Sequence, residues 1–140
     1  MRALLIVLAG VGVLIAGCGA SYESTPLRHP VRANARIAVE DFTADSPATA
    51  RMIWATFLVE LEEAGFVIGD VAPDLIIRGT ITKVLASYEG DYVDSVFIIV
   101  ATPNNDIVTS IRFNQGYRDK TPGNIGTEIG KRIVRILKKE

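Results

Sequence analysis

From Arg36 onward the hydrophobic positions follow two periods in turn, two residues and three to four residues, and the switches between them lay out the fold. Ile37 and Val39 alternate with Ala38 and Glu40, which predicts a strand ending near Asp41 and Phe42. Ser46-Pro47 is a helix start, with the serine as cap and the proline at the first helical position. Ile53, Phe57, Leu58, Leu61 and Ala64 then recur at helical spacing until Gly65 stops the helix, and Met52 and Trp54 lie on or beside that stripe as core residues. Phe66-Val67-Ile68 reads as a short strand, and residues 69–74 carry turn chemistry. Leu75, Ile77, Gly79, Ile81 and Leu85 share one face of the next strand, and Arg78, Thr80 and Thr82 share the other. A glycine on the core side of a strand gives up packing for space, so Gly79 predicts close approach of a helix.

A strand from Tyr92 to Ala101, a hairpin turn over 102–106 and a strand from Ile107 to Tyr117 follow, the last with Ile107, Ile111, Phe113 and Tyr117 inward. Ile125, Ile129, Ile133, Ile136 and Leu137 place an amphipathic helix over about 122–139, with Gly126 and Gly130 on a neighbouring strip that lets it lie close to the sheet. The expected fold is α+β in one small domain. It has a mixed four-stranded sheet, in the order β-α-β-β-β-β-α with one short strand, and two helices packed on one face. If Phe97, Ile99 and Ala101 face those helices, then Val96, Ile98 and Val100 form an apolar strip on the open face, beside Thr80, Thr82, Ser110 and Arg112. Exposed apolar strips of that kind mark contact sites, so Val96, Ile98, Val100, Thr80, Thr82 and Arg112 are the candidate partner-contact face.

The first twenty residues follow a different logic. Met1-Arg2 is a minimal positive region, an uncharged apolar run follows, and Ile15-Ala16-Gly17-Cys18 is a small-residue cleavage pattern ending in the only cysteine of the chain. That tetrad resembles the lipobox of bacterial lipoproteins, which implies a signal peptide over 1–17 and lipid on the Cys18 thiol. With one cysteine an internal disulfide is impossible, so acylation also explains the residue. Residues 18–35 are polar, proline-punctuated and without period, and read as a lipidated tether ahead of an α/β domain over 36–140. His29 lies in that segment as a solvated side chain. Gly19, where aspartate would signal inner-membrane retention, points to an outer-membrane lipoprotein facing the periplasm.

Three further runs strengthen the envelope reading. Arg36-Ile-Ala-Val-Glu-Asp-Phe-Thr-Ala-Asp-Ser, Glu60-Leu-Glu-Glu-Ala-Gly-Phe-Val-Ile and Pro73-Asp-Leu-Ile-Ile-Arg-Gly-Thr-Ile-Thr together resemble a compact domain shared by envelope lipoproteins. These include curli-secretion channel lipoproteins, lipoprotein activators of penicillin-binding proteins, and the amino-terminal domain of the Tol-system propeller protein. The resemblance spans nearly all of 36–139 and rests on hydrophobic and turn patterns. It implies an assembly or regulatory domain rather than an enzyme. The chain lacks insertions long enough for the membrane hairpins of a curli channel, and its tether is shorter than the activators use. A related resemblance is to the small lipoprotein that plugs the lipopolysaccharide-assembly barrel.

Charge and chemistry narrow the picture. Loss of residues 1–17 removes Arg2 and leaves fourteen basic against sixteen acidic side chains, so no basic excess recommends nucleic acid as a partner. Lys131, Arg132, Arg135, Lys138 and Lys139 read as the solvated, cationic end of the last helix, with contact to anionic polymers or headgroups as the sharper alternative. The folded part has no histidine or cysteine for a base, nucleophile or metal ligand, and no phosphate-cradling loop, so no catalytic residue, metal or cofactor is expected. Glu40 with Asp41, or Glu89 with Asp91 and Asp94, are the carboxylates a glycan hydrolase would need, and they read as solvated strand-end and loop residues. The function expected is a non-catalytic accessory or regulatory lipoprotein of envelope assembly or secretion, acting through an envelope protein or self-association. A lipid or lipopolysaccharide-assembly role comes second, and a carboxylate-dependent cell-wall hydrolase third.

Overall fold

The computed structural model describes residues 21–87, 90–114 and 121–139. Along the chain they form strands β1 (Ser21–Ser24) and β2 (Arg36–Val39), helix α1 (Pro47–Glu63), strands β3 (Val67–Ile68), β4 (Leu75–Ser87), β5 (Gly90–Ala101) and β6 (Ile107–Asn114), and helix α2 (Pro122–Leu137). The strands make one mixed sheet in the order β1-β6-β5-β4-β2-β3. Pairing is antiparallel from β1 to β4 and parallel from β4 through β2 to β3. The sheet therefore has six strands where the hydrophobic pattern predicts four. The largest departure is β1, which comes from the segment read as a tether and pairs Ser21 through Ser24 with Asn114 through Ile111.

Local chemistry sets both helices. The Ser46 hydroxyl accepts a hydrogen bond from the Thr49 amide at 3.4 Å and Pro47 opens α1, while Gly65 beyond its end takes φ +94°, a conformation that glycine reaches without steric cost. Thr121 caps α2 in the same way, accepting from the Asn124 amide at 3.3 Å ahead of Pro122. Ile53, Phe57 and Leu61 of α1 and Ile125, Ile129, Ile133 and Leu137 of α2 are buried in one cluster with Ile37, Ile77, Ile81, Ile98, Ile111 and Phe113 of the sheet. Both helices thus cover one face. Each fully buried side chain of this size contributes roughly 1.5–3 kcal/mol through apolar area removed from water.

Two glycine expectations change. A Cβ on Gly126 would collide with Thr56 Oγ1 and the Ile53 carbonyl oxygen, and one on Gly130 would come within 2.8 Å of Glu60 Cβ. These glycines let α2 lie against α1, not the sheet. Because 126 meets 53 and 56 while 130 meets 57 and 60, the two helices run in the same direction. At Gly79 a Cβ would meet the Phe42 ring at 2.5 Å and Ile98 Cδ1 at 2.9 Å. The space is kept for an aromatic ring from the loop after β2, not for a helix, and that loop is fastened to β4 by Thr43 N to Gly79 O (3.0 Å) and Ile81 N to Thr43 O (2.8 Å). On β6, Ile111 and Phe113 are buried as expected, but Ile107 is 43% exposed because the register with β5 shifts between Val100 and Ala101 and Val108 takes the inward place. Tyr117 lies outside the described residues.

Candidate contact surface

The expected contact face is inverted. Val96, Ile98 and Val100 have no exposed surface. Residues directly opposite one another in an antiparallel pair share a face. Ile98 stands between Gly79 of β4 and Ile111 of β6, and Val96 between Ile81 and Phe113, so this row points into the core under the helices. Phe97 stands between Thr80 and Arg112, and Ile99 between Arg78 and Ser110, which puts them on the open face. Thr80, Thr82 and Arg112 are exposed there, as the alternation predicts. Every residue from 96 to 101 is apolar, so periodicity within β5 carries no information about its faces. The signal that does is the partner strands: the apolar row of β5 nearest the core is the one opposite Gly79 and Ile111.

The open face therefore presents Phe97 and Ile99, both half-buried, among polar and cationic neighbours. The Arg112 guanidinium lies 4.9 Å from the centroid of the Phe97 ring, a cation–π contact that holds both side chains against the sheet. Arg78 donates from Nε to Glu40 Oε2 at 3.0 Å and from its other arm to Asn105 Oδ1 at 3.3 Å, bridging the end of β2 to the β5–β6 turn. An aromatic ring and an arginine set among threonines can bury apolar area and supply hydrogen bonds at once, the mixture that protein contact surfaces favour.

The other sequence candidates scatter. Glu40 is engaged by Arg78, Asp41 is exposed, and Asp94 is half-buried on β5. Glu89 lies outside the described residues, as does Cys18. His29 is exposed. Among the described residues no group of three or more histidines, cysteines or acids is placed to hold a metal ion, and no helix is long and apolar enough to cross a membrane. Of the basic cluster, Arg132 lies over the Tyr22 ring at 3.5 Å from its centroid, and Lys131, Arg135, Lys138 and Lys139 are exposed around the end of α2.

One cluster escaped the sequence reading altogether. Tyr22 of β1 packs its ring on Phe113 with centroids 5.1 Å apart and donates its hydroxyl to Glu128 of α2 at 2.5 Å. Burial, and then the Glu128 carboxylate, push the Tyr22 phenol well above its ordinary range. At the opposite edge, Asp74 accepts from the Arg36 amide at 2.9 Å and from Arg32 at 2.6 Å, and these bonds hold its carboxyl below the usual range.

No family model matches the chain, and no curated protein matches its sequence. Solved structures do share its shape. Two PelC dodecamer structures from Paraburkholderia phytofirmans, one of a point variant, superpose with TM-scores of 0.61 and 0.60 at 12% and 13% identity. Each covers 84% of this chain and 96% of the PelC chain. A PDZ domain protein from Parabacteroides distasonis aligns with 84% of this chain and 36% of its own, at 8% identity and a TM-score of 0.53. A minor lipoprotein from Acinetobacter baumannii aligns over 72% of this chain and 90% of its own, at 11% identity and a TM-score of 0.42. At these identities the likeness is one of fold, and it extends over nearly the whole PelC subunit.

Proposed function

We propose that the chain is an exported lipoprotein, cut after Gly17, acylated on Cys18 and held on the outer membrane facing the periplasm, where it acts without catalysis by binding a protein partner through the open face of its sheet. The observation that carries this reading is the Phe97 and Ile99 patch, set between Arg78, Thr80 and Arg112 on the face of the sheet opposite the two described helices. The lipobox pattern and the resemblance to envelope assembly and regulatory lipoproteins support the location and the non-enzymatic role. Among the carboxylates that a hydrolase would need, Glu40 is tied up by Arg78. A second copy is one candidate partner, since the PelC chains of the same fold are dodecamers.

The test is a photo-crosslinking amino acid placed at Phe97 in the host, with Cys18→Ala as the anchor control and mass spectrometry of the products. The expected result is a discrete crosslink to an envelope protein or to a second copy, weakened by Cys18→Ala and by Arg112→Glu. No crosslink at Phe97, together with full activity of the Phe97→Asp variant, would end the contact reading.

A further inference from the structure

The acylated cysteine and the sheet are closer together than a tether would leave them. Cys18 precedes Ser21 by three residues, a reach of at most about 10 Å. Ser21 is already in the sheet, paired with Asn114. From there the chain is fastened along β6. Tyr22 is clamped by Phe113, Glu128 and Arg132. Thr25 N donates to Ser110 O at 3.0 Å and Arg28 N to Val108 O at 2.9 Å, and the Thr109 hydroxyl donates to Thr25 O at 2.8 Å. Three residues are all that join Cys18 to the first paired position of the sheet.

The register also gives the direction. Ser21, Asn114, Ser95 and Thr82 form one row across β1, β6, β5 and β4. Because β1 is antiparallel to β6, its Ser21 end points toward the end of the sheet where β4 passes into β5. Beyond that row the β4–β5 ladder continues from Thr82 to the Ser87–Gly90 pair, five residues or about 17 Å of strand. That overhang is longer than the reach of the three residues to Cys18.

We infer that this end of the sheet rests on the bilayer, with the overhanging ends of β4 and β5 in the headgroup layer, and that the opposite pole faces away from the membrane. This deepens the reading above and rests on acylation at Cys18. The far pole carries the β5–β6 turn, the loop before β4 and the carboxy-terminal ends of both helices. The cations Lys138 and Lys139 therefore point away from the membrane that holds the lipid, and α2 alone sets them about 24 Å from its own first residue. The lipid surface is the occupant because a chain this short cannot hold the domain clear of it.

The test uses the full lipoprotein, purified from host membranes and reconstituted in vesicles of phosphatidylethanolamine and phosphatidylglycerol containing a headgroup spin-labelled lipid. Single fluorophores are attached at Thr82→Cys, in the row beside the anchor, and at Val71→Cys, which is 70% exposed at the far pole. Acylation blocks Cys18 itself. β4 alone puts about 23 Å between Leu75 and Thr82, so quenching should be at least roughly threefold stronger at Thr82 than at Val71. A ten-residue Gly/Ser insertion between Ala20 and Ser21 should abolish most of that difference. The mass of the amino-terminal peptide separates the two ways of failing: without acyl mass on Cys18, the anchor reading falls and the inference with it. With the acyl mass present, equal quenching at both positions, or none at either, overturns the orientation alone.

Discussion

Replacing Gly126 by alanine inserts one methyl group where the two helices lie side by side. The new Cβ would collide with the Thr56 hydroxyl, which can rotate, and with the Ile53 carbonyl oxygen, which is fixed in the α1 backbone. Overpacking of this kind costs about 1–3 kcal/mol, and here the upper end applies because the obstruction is main chain. Alanine returns up to about 1 kcal/mol through its higher helix propensity. The net loss should be about 2 kcal/mol, or roughly 8 °C in Tm. Gly123 is the control within the same helix: its Cβ would meet only Thr56 Cγ2 at 3.7 Å, an ordinary contact, so Gly123→Ala should be neutral or stabilising. Urea denaturation of both variants measures the difference. Thr56→Ala combined with Gly126→Ala should recover only the side-chain part of the loss. If Gly126→Ala proved as stable as Gly123→Ala, the close helix contact would be wrong.

The assignment of β5 predicts that Ile98→Ala costs about 2–5 kcal/mol, whereas Phe97→Ala, on the open face, costs about 1 kcal/mol through its contact with Arg112. The reverse order in chemical denaturation would mean that the faces are swapped. Tyr22→Phe removes the hydroxyl bonded to Glu128 and should cost about 1 kcal/mol at neutral pH. The folded-state pKa of Tyr22 is raised, so its contribution is complete below the ordinary tyrosine value and fades as pH climbs toward the folded value; from pH 9 to 11 the parent should lose more stability than Tyr22→Phe. For Asp74 the shift is downward, so its contribution is present above the ordinary carboxylate value and is lost as pH falls through the folded value. Asp74→Asn should accordingly flatten the loss of urea midpoint between pH 5 and 2, and an unchanged slope would show that the Arg36 and Arg32 bonds do not hold in solution.

Where side-chain pattern and backbone requirement coincide, the sequence is easy to read. Ser46-Pro47, Gly65 and the stripe of Ile53, Phe57 and Leu61 each carry a cap, a stop or a buried face, and α1 follows from them. The alternation in β4 is as clear, because Arg78, Thr80 and Thr82 mark the solvent side. β5 is different. Residues 96–101 are apolar on both faces, so the strand's orientation is set by neighbours far away in sequence, and Ile98 is inward because Gly79 and Ile111 stand beside it. β1 is invisible for another reason: Ser-Tyr-Glu-Ser has one apolar side chain, and what recruits it is the free edge of β6 together with a ring site on Phe113 and a carboxylate on α2. The expected contact patch shares that inversion: Val96, Ile98 and Val100 turn inward, whereas Thr80, Thr82 and Arg112 are exposed on the open face.

That four-residue strand also guards the sheet. A strand edge with unpaired amides and carbonyls is a template for joining another chain, and proteins blunt such edges with short, charged or covered strands. β1 covers β6 and is itself short, with Glu23 exposed on it. A soluble form begun at Arg36, where the apolar alternation starts, would strip this cover and leave the β6 ladder open to edge-to-edge aggregation. Oligomers seen with it would report the missing strand. Self-association is a fair measurement only on a form that retains the chain from Gly19.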